Sequence, residues 1–126
     1  MNHNHYELAR TMGFKSTSRF RLGAVLAKKN RVISTGYNDM RKTHTIMQKY
    51  NRDKTWAPGL HAEVDACIGV PAAEMDGADL YVVRILKSGH LAMAKPCRIC
   101  QQFLAKSGIP IVYYSISPNK YDFIRF

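Results

Sequence analysis

Two short motifs restrict this chain more than anything else in it: Pro96-Cys97-Arg98-Ile99-Cys100 and, far upstream, His61-Ala62-Glu63. Cysteines at i and i+3 share one face of a helix, close enough to grip a single cation together. Pro96 precedes them where a proline is tolerated, because the first helical turn has no intrahelical use for its N–H. The partial positive charge of a helix N-terminus also favours the thiolate that a metal needs. His61 supplies a nitrogen, which makes three protein ligands, and zinc held by three normally keeps a position open to water. Glu63, two residues past the histidine, then stands beside that water to handle protons. The motifs together predict a catalytic zinc centre of His61, Cys97 and Cys100, with Glu63 as its proton-transfer group.

The order H-x-E followed by P-C-x-x-C resembles the zinc-dependent cytidine and deoxycytidylate deaminase superfamily. The likeness extends to Phe20-Arg21-Leu22-Gly23-Ala24-Val25-Leu26, similar to the family's first core strand. Ile33-Ser34-Thr35-Gly36-Tyr37-Asn38 is similar to its second strand and nucleoside-binding loop, and Ser107-Gly108-Ile109 running into Val112-Tyr113-Tyr114 to the strand after the cysteine helix. The resemblance implies a cytidine-deaminase-like three-layer α/β/α fold with a five-stranded mixed sheet whose last strand is antiparallel. It implies hydrolysis of cytosine to uracil with release of ammonia. It further implies that Asn38 bonds the sugar hydroxyls and that Phe20 stacks on the pyrimidine. The N–H of Ala62 and the carbonyl near Lys95 would hold the base edges, and Tyr113 or Tyr114 would line the pocket, with Tyr114 chosen for the substrate set. Plainer readings stand beside these: Phe20 packs in the core, and Asn38 is a turn asparagine.

At 126 residues the chain suits a single domain, 1–126, able to bury a core without disulfides. Three cysteines, two of them in C-x-x-C, with no visible signal peptide and no apolar run of membrane length, point to metal or redox chemistry, with the cytoplasm as the expected location. A structural zinc site would need a fourth ligand. Cys67, six positions after His61, is rotated well off the ligand face and is expected to be a buried small hydrophobe. His90, in a turn, is expected to be exposed and inert. A thioredoxin-like redox pair would enclose small or proline residues, whereas this one encloses Arg98-Ile99.

The net charge of +10 is uneven: twelve Lys and Arg against four acids up to Glu63, then seven against five. Such a field attracts nucleotide phosphates or a nucleic-acid backbone, and it also simply aids solubility. Arg19, Arg21, Arg41, Lys42 and Arg52 are candidate phosphate contacts. The Gly23-Ala24-Val25 and Gly36-Tyr37-Asn38 strands resemble deoxycytidylate deaminases more than the tRNA adenosine type. That resemblance, with the basic first half, implies a free cytosine nucleotide or nucleoside as substrate, dCMP first. Cytosine in single-stranded DNA or RNA is the alternative, and a structural-zinc nucleic-acid-binding module the non-enzymatic one. The resemblance implies a homo-oligomer; no membrane partner is expected.

Hydrophobic spacing predicts a helix over 5–15 with Tyr6, Ala9 and Met12 inward, while His3 and His5 are expected to be solvated. Strands follow over 22–27 and 31–37, joined by a Lys28-Lys29-Asn30 turn. The stretch 39–60 shows no clear period and mixes cations with Tyr50 and Trp56. It suits either a phosphate with a stacked base or a solvated loop anchored by Trp56. His44 within it lacks the neighbouring cysteine that a second metal site would want. Helices are then predicted over 61–69 and 97–106, and strands over 79–86, 111–116 and 121–126. A turn at Lys87-Ser88-Gly89-His90 leads into a short return over 91–94.

Overall fold

The computed structural model describes residues 2–54 and 58–126, so the expected anchor Trp56 lies outside the described residues. The predicted hairpin forms: β1 (Arg21–Lys28) pairs antiparallel with β2 (Arg31–Tyr37), and Lys29 turns the corner at φ 55°. β3 (Asp79–Ile85), β4 (Leu91–Ala92), β5 (Ile111–Ser117) and β6 (Lys120–Arg125) complete a mixed sheet of order β2-β1-β3-β5-β6. β3 and β5 run parallel, and β6 returns antiparallel on β5 as expected. The sheet has six strands rather than five. The return over 91–94 becomes β4, which sets Leu91 and Ala92 against Ile85 and Arg84.

Helix α1 (His3–Gly13) covers one face; α2 (Thr45–Tyr50), α3 (Ala62–Asp65) and, after the single turn α4 (Ala72–Met75), α5 (Arg98–Lys106) build the other side. Alternation along the central strands divides the core in two. Leu26, Leu80 and Val82 pack toward Ile99 and Leu104 of α5, while Val25 and Val83 pack toward Tyr6 and Ala9 of α1. Each such fully buried aliphatic contributes roughly 1.5–3 kcal/mol, so β1 and β3 are the fixed frame on which the site is hung. None of the described helices is long and apolar enough to cross a membrane.

Several local expectations change. α1 starts earlier because Asn2 caps it, its side chain accepting the Asn4 N–H at 2.9 Å. That phase turns His5 inward, where it is buried with Nε2 2.8 Å from the Lys29 carbonyl oxygen and its ring edge-on to Tyr81; His3 alone stays exposed. The unpatterned stretch holds α2, capped by His44, whose Nδ1 accepts the Ile46 N–H at 3.1 Å. The helix predicted over 61–69 stops at Asp65 and continues as turns. Neither tyrosine meets the expectation of a pocket wall. Tyr113 stacks on Tyr81 at 4.9 Å on the α1 face, and Tyr114 is buried in the opposite core.

Two glycines let the layers close on the sheet. A Cβ at Gly23 would run into the Ala9 carbonyl oxygen and the Gly13 N of α1; one at Gly36 would run into Ala66 N and Ala62 O. Both obstacles are backbone, so neither can swing aside. Gly36→Ala is expected to cost about 3 kcal/mol and to lower Tm by roughly 10 °C, read by thermal unfolding. An unchanged Tm would mean that α3 does not rest on β2 at this point.

Candidate active site

Short connections bring the two motifs together. After the long excursion the chain returns beside β2, where Asp39 and Leu60 exchange backbone hydrogen bonds of 2.9 and 3.0 Å. His61 follows as the N-cap of α3, and Asp65 Oδ2 accepts the Tyr37 N–H at 3.0 Å, which ties α3 to the end of β2. On the other side, Ser115 Oγ donates to the Ala92 carbonyl at 2.7 Å and the Ala94 N–H donates to the Ser115 carbonyl at 2.9 Å. Those bonds steer the chain into Pro96, whose carbonyl accepts Gln101 Nε2 at 2.8 Å. Cys97 is thereby the N-cap of α5 and Cys100 lies in its first turn.

His61 Nδ1 lies 3.3 Å from Cys100 Sγ and 3.7 Å from Cys97 Sγ, and all three donor atoms fall within 4.8 Å of one another. A tetrahedral zinc with ordinary bond lengths separates its nitrogen and sulfur ligands by about 3.6 Å. The donor set fits that ion in chemistry as well as spacing, since two soft sulfurs and an imidazole suit zinc. The hydrogen bond between the two thiols lowers the Cys97 thiol to about 4, and the same contact, with burial, raises that of Cys100 well above the usual thiol range. Cys67 stays apart from the cluster, buried in the core with its thiol pushed up to about 12 by desolvation.

Glu63 is only 4% exposed, and that burial raises its carboxyl pKa, with the nearby His61 pulling the other way. Its carboxyl also reaches the Cys100 thiol, so the acid sits against the donor cluster. Glu63, His61 and Cys97 line a cavity of about 390 Å3, and Cys100 lies buried behind it. Of the residues expected to meet substrate, Phe20, Asn38, Ala62 and Lys95 line this cavity, and Tyr114 does not. Phe20 is 51% exposed there rather than packed in the core. Asn38 spends part of its amide inside the chain: Oδ1 accepts the Leu22 N–H at 2.9 Å and Nδ2 donates to the Phe20 carbonyl.

The candidate phosphate contacts separate. Arg19 lines the cavity, whereas Arg41 is paired with Asp39 at 3.3 Å, Arg21 lies over the Phe14 ring and Arg52 borders a different hollow. Lys42 is exposed and absent from the cavity wall. A cation that sequence reasoning passed over, Arg84, lines the cavity instead. The signal was a lone charge inside the apolar run Leu80 to Leu86, on the same strand face as Leu80 and Val82.

Residues 2–116 match the family described as the cytidine and deoxycytidylate deaminase zinc-binding region. A deoxycytidylate deaminase of Mycobacterium phage D29 is 30% identical over 110 residues, covering 76% of this chain and 78% of the relative. Among solved structures, a cytidine deaminase from Burkholderia pseudomallei is similar over 99% of this chain and 92% of its own, with TM-score 0.69 and 20% identity. A dCMP deaminase from the cyanophage S-TIM5 is similar over 90% and 81%, with TM-score 0.58 and 20% identity. The two structures speak for the fold, and the sequence matches carry the kinship. A match along nearly the whole chain, joined to a donor cluster fit for the metal in that family's description, makes this chain a zinc-type deaminase of the cytidine and deoxycytidylate deaminase family.

Proposed function

We propose that this enzyme deaminates cytosine in a free nucleotide or nucleoside, with dCMP its favoured substrate. In this reading His61, Cys97 and Cys100 are the metal ligands and Glu63 the catalytic proton carrier. The observation that carries it is a buried carboxyl pressed against a three-donor cluster at the wall of a cavity of about 390 Å3, a volume in the ordinary range for small-ligand sites. Zinc, when bound, supplies Lewis acidity and brings the pKa of a coordinated water from 15.7 to about 7.

The remaining chemistry belongs to the chain. Glu63 accepts one proton from the attacking water and passes it to ring N3. It then takes the second proton from the same oxygen, now the C4 hydroxyl, and delivers it to the amino nitrogen as the C4–N bond breaks, ammonia leaves and the C4 carbonyl forms. A carboxyl whose pKa is raised by burial suits both directions of that transfer. The Ala62 N–H and the Lys95 carbonyl hold the edges of the base, Phe20 offers a ring face, and Asn38 keeps spare amide capacity for the sugar. The preference for a nucleotide is supported by Arg19, Arg84 and Lys95 in the wall against one acid, Glu63, among the described residues, and by the likeness to a phage deoxycytidylate deaminase.

Cytidine, deoxycytidine, CMP, dCMP, dCTP and a single-stranded DNA oligonucleotide, compared in one assay of ammonia release, test the substrate. The largest kcat/KM is expected with dCMP. Turnover confined to the oligonucleotide, falling steeply with salt, would replace this reading by the polynucleotide one.

A further inference from the structure

Arg84 carries an unmet demand that the proposed chemistry does not use. It continues the row Leu80-Val82 on β3, the row that faces α5, and emerges where that row reaches the cavity. Across the ladder it stands opposite Leu22, another cavity residue, and its backbone N–H donates to Ser115 Oγ at 3.3 Å. The guanidinium lies over the Phe20 ring, 4.6 Å from the centroid. Its Nε is buried and finds no hydrogen-bond partner among the described residues, and no carboxylate there pairs with the side chain.

A buried donor without an acceptor is costly, and a cation without a counter-charge more so. Three arginines have such partners: Arg31 has Glu74 at 3.0 Å, Arg41 has Asp39, and Arg10 has the Gly89 carbonyl oxygen at 2.9 Å; Arg84 is the arginine whose unpartnered nitrogen is buried, among the described residues. Arg84 is half-buried and lines the cavity, so an anion held there is placed to partner its guanidinium. Cytosine and the sugar are neutral, so the anion a nucleotide brings is its phosphate. A guanidinium fork matches phosphate oxygens two at a time, and a stacked aromatic ring keeps the fork's plane fixed.

We propose that Arg84 is the phosphate-binding, specificity-determining residue of this site, oriented by Phe20, and that the enzyme takes a nucleoside monophosphate through it. This rests on the reading of the cavity as a pyrimidine nucleotide site. Binding of dUMP and of deoxyuridine to the zinc-loaded protein, measured by calorimetry, tests it without requiring turnover. The parent protein is expected to bind dUMP about 10- to 100-fold more tightly than deoxyuridine. Arg84→Gln should bring that ratio toward one, and Arg84→Lys, which keeps the charge without the fork, should restore only part of it. A ratio near one in the parent, a ratio unchanged in Arg84→Gln, or an equal weakening of both ligands would overturn the assignment. The last pattern would put Arg84 on the base instead. A protein that shows the expected ratios yet deaminates no cytosine substrate would sink the proposed reaction and leave the phosphate assignment standing.

Discussion

Glu63→Gln is expected to keep its zinc and its fold while kcat falls by about 10²- to 10⁴-fold, the ordinary worth of a positioned acid–base group. The amide has the shape of the carboxyl, and Glu63 is buried, so the substitution opens no cavity and removes a group whose charge is disfavoured there. What it removes is the ability to take a proton from water and return it to nitrogen. In barrier terms the loss is about 3–5 kcal/mol. Elemental analysis and thermal unfolding of the same preparation separate this result from damage. If metal content and Tm hold while turnover stays within tenfold of the parent, Glu63 is not the proton carrier.

The parts of the site that were legible before the fold are those whose residues are neighbours in sequence. Cys97 and Cys100 meet because a helix repeats every 3.6 residues, and His61 and Glu63 because two residues separate a cap from its first turn. The strands were legible for a similar reason, since Val25, Val82 and Val83 sit in apolar runs bounded by turn residues. Arg84 was not. Alternation puts it on one face of β3 with Leu80 and Val82, but nothing local says that this face, at that end, opens into the cavity. Tyr114 failed in the same way, being assigned to a wall that the packing of β5 fills as core. His5 was missed because its acceptor, the Lys29 carbonyl, belongs to a distant turn. His44 was weighed as a ligand when its use is a cap, and the apolar Ile46, Met47 and Tyr50 after it were the available sign of α2.

Cys97→Ala and Cys100→Ala are each expected to yield protein without zinc, while Cys67→Ala keeps one equivalent. The three cysteines are alike in sequence chemistry, and the structure gives them different work. Cys97 and Cys100 point their sulfurs at His61 Nδ1, 3.7 and 3.3 Å away, and Cys67 packs in the core outside that cluster. Zinc sites built from protein side chains bind with about 10–16 kcal/mol in all. One ligand's share is then about 3–4 kcal/mol, or a factor of about 10²–10³ in affinity. Two remaining donors do not retain the ion against a chelator. Loss from the two helix cysteines together with retention in Cys67→Ala fixes a three-ligand centre, the arrangement that leaves a coordination position for chemistry. Loss of metal from Cys67→Ala as well, with its fold intact by thermal unfolding, would make Cys67 a fourth ligand. A centre closed in that way would hold the fold together and have no place for the attacking water, so the deamination assigned to Glu63 would go with it.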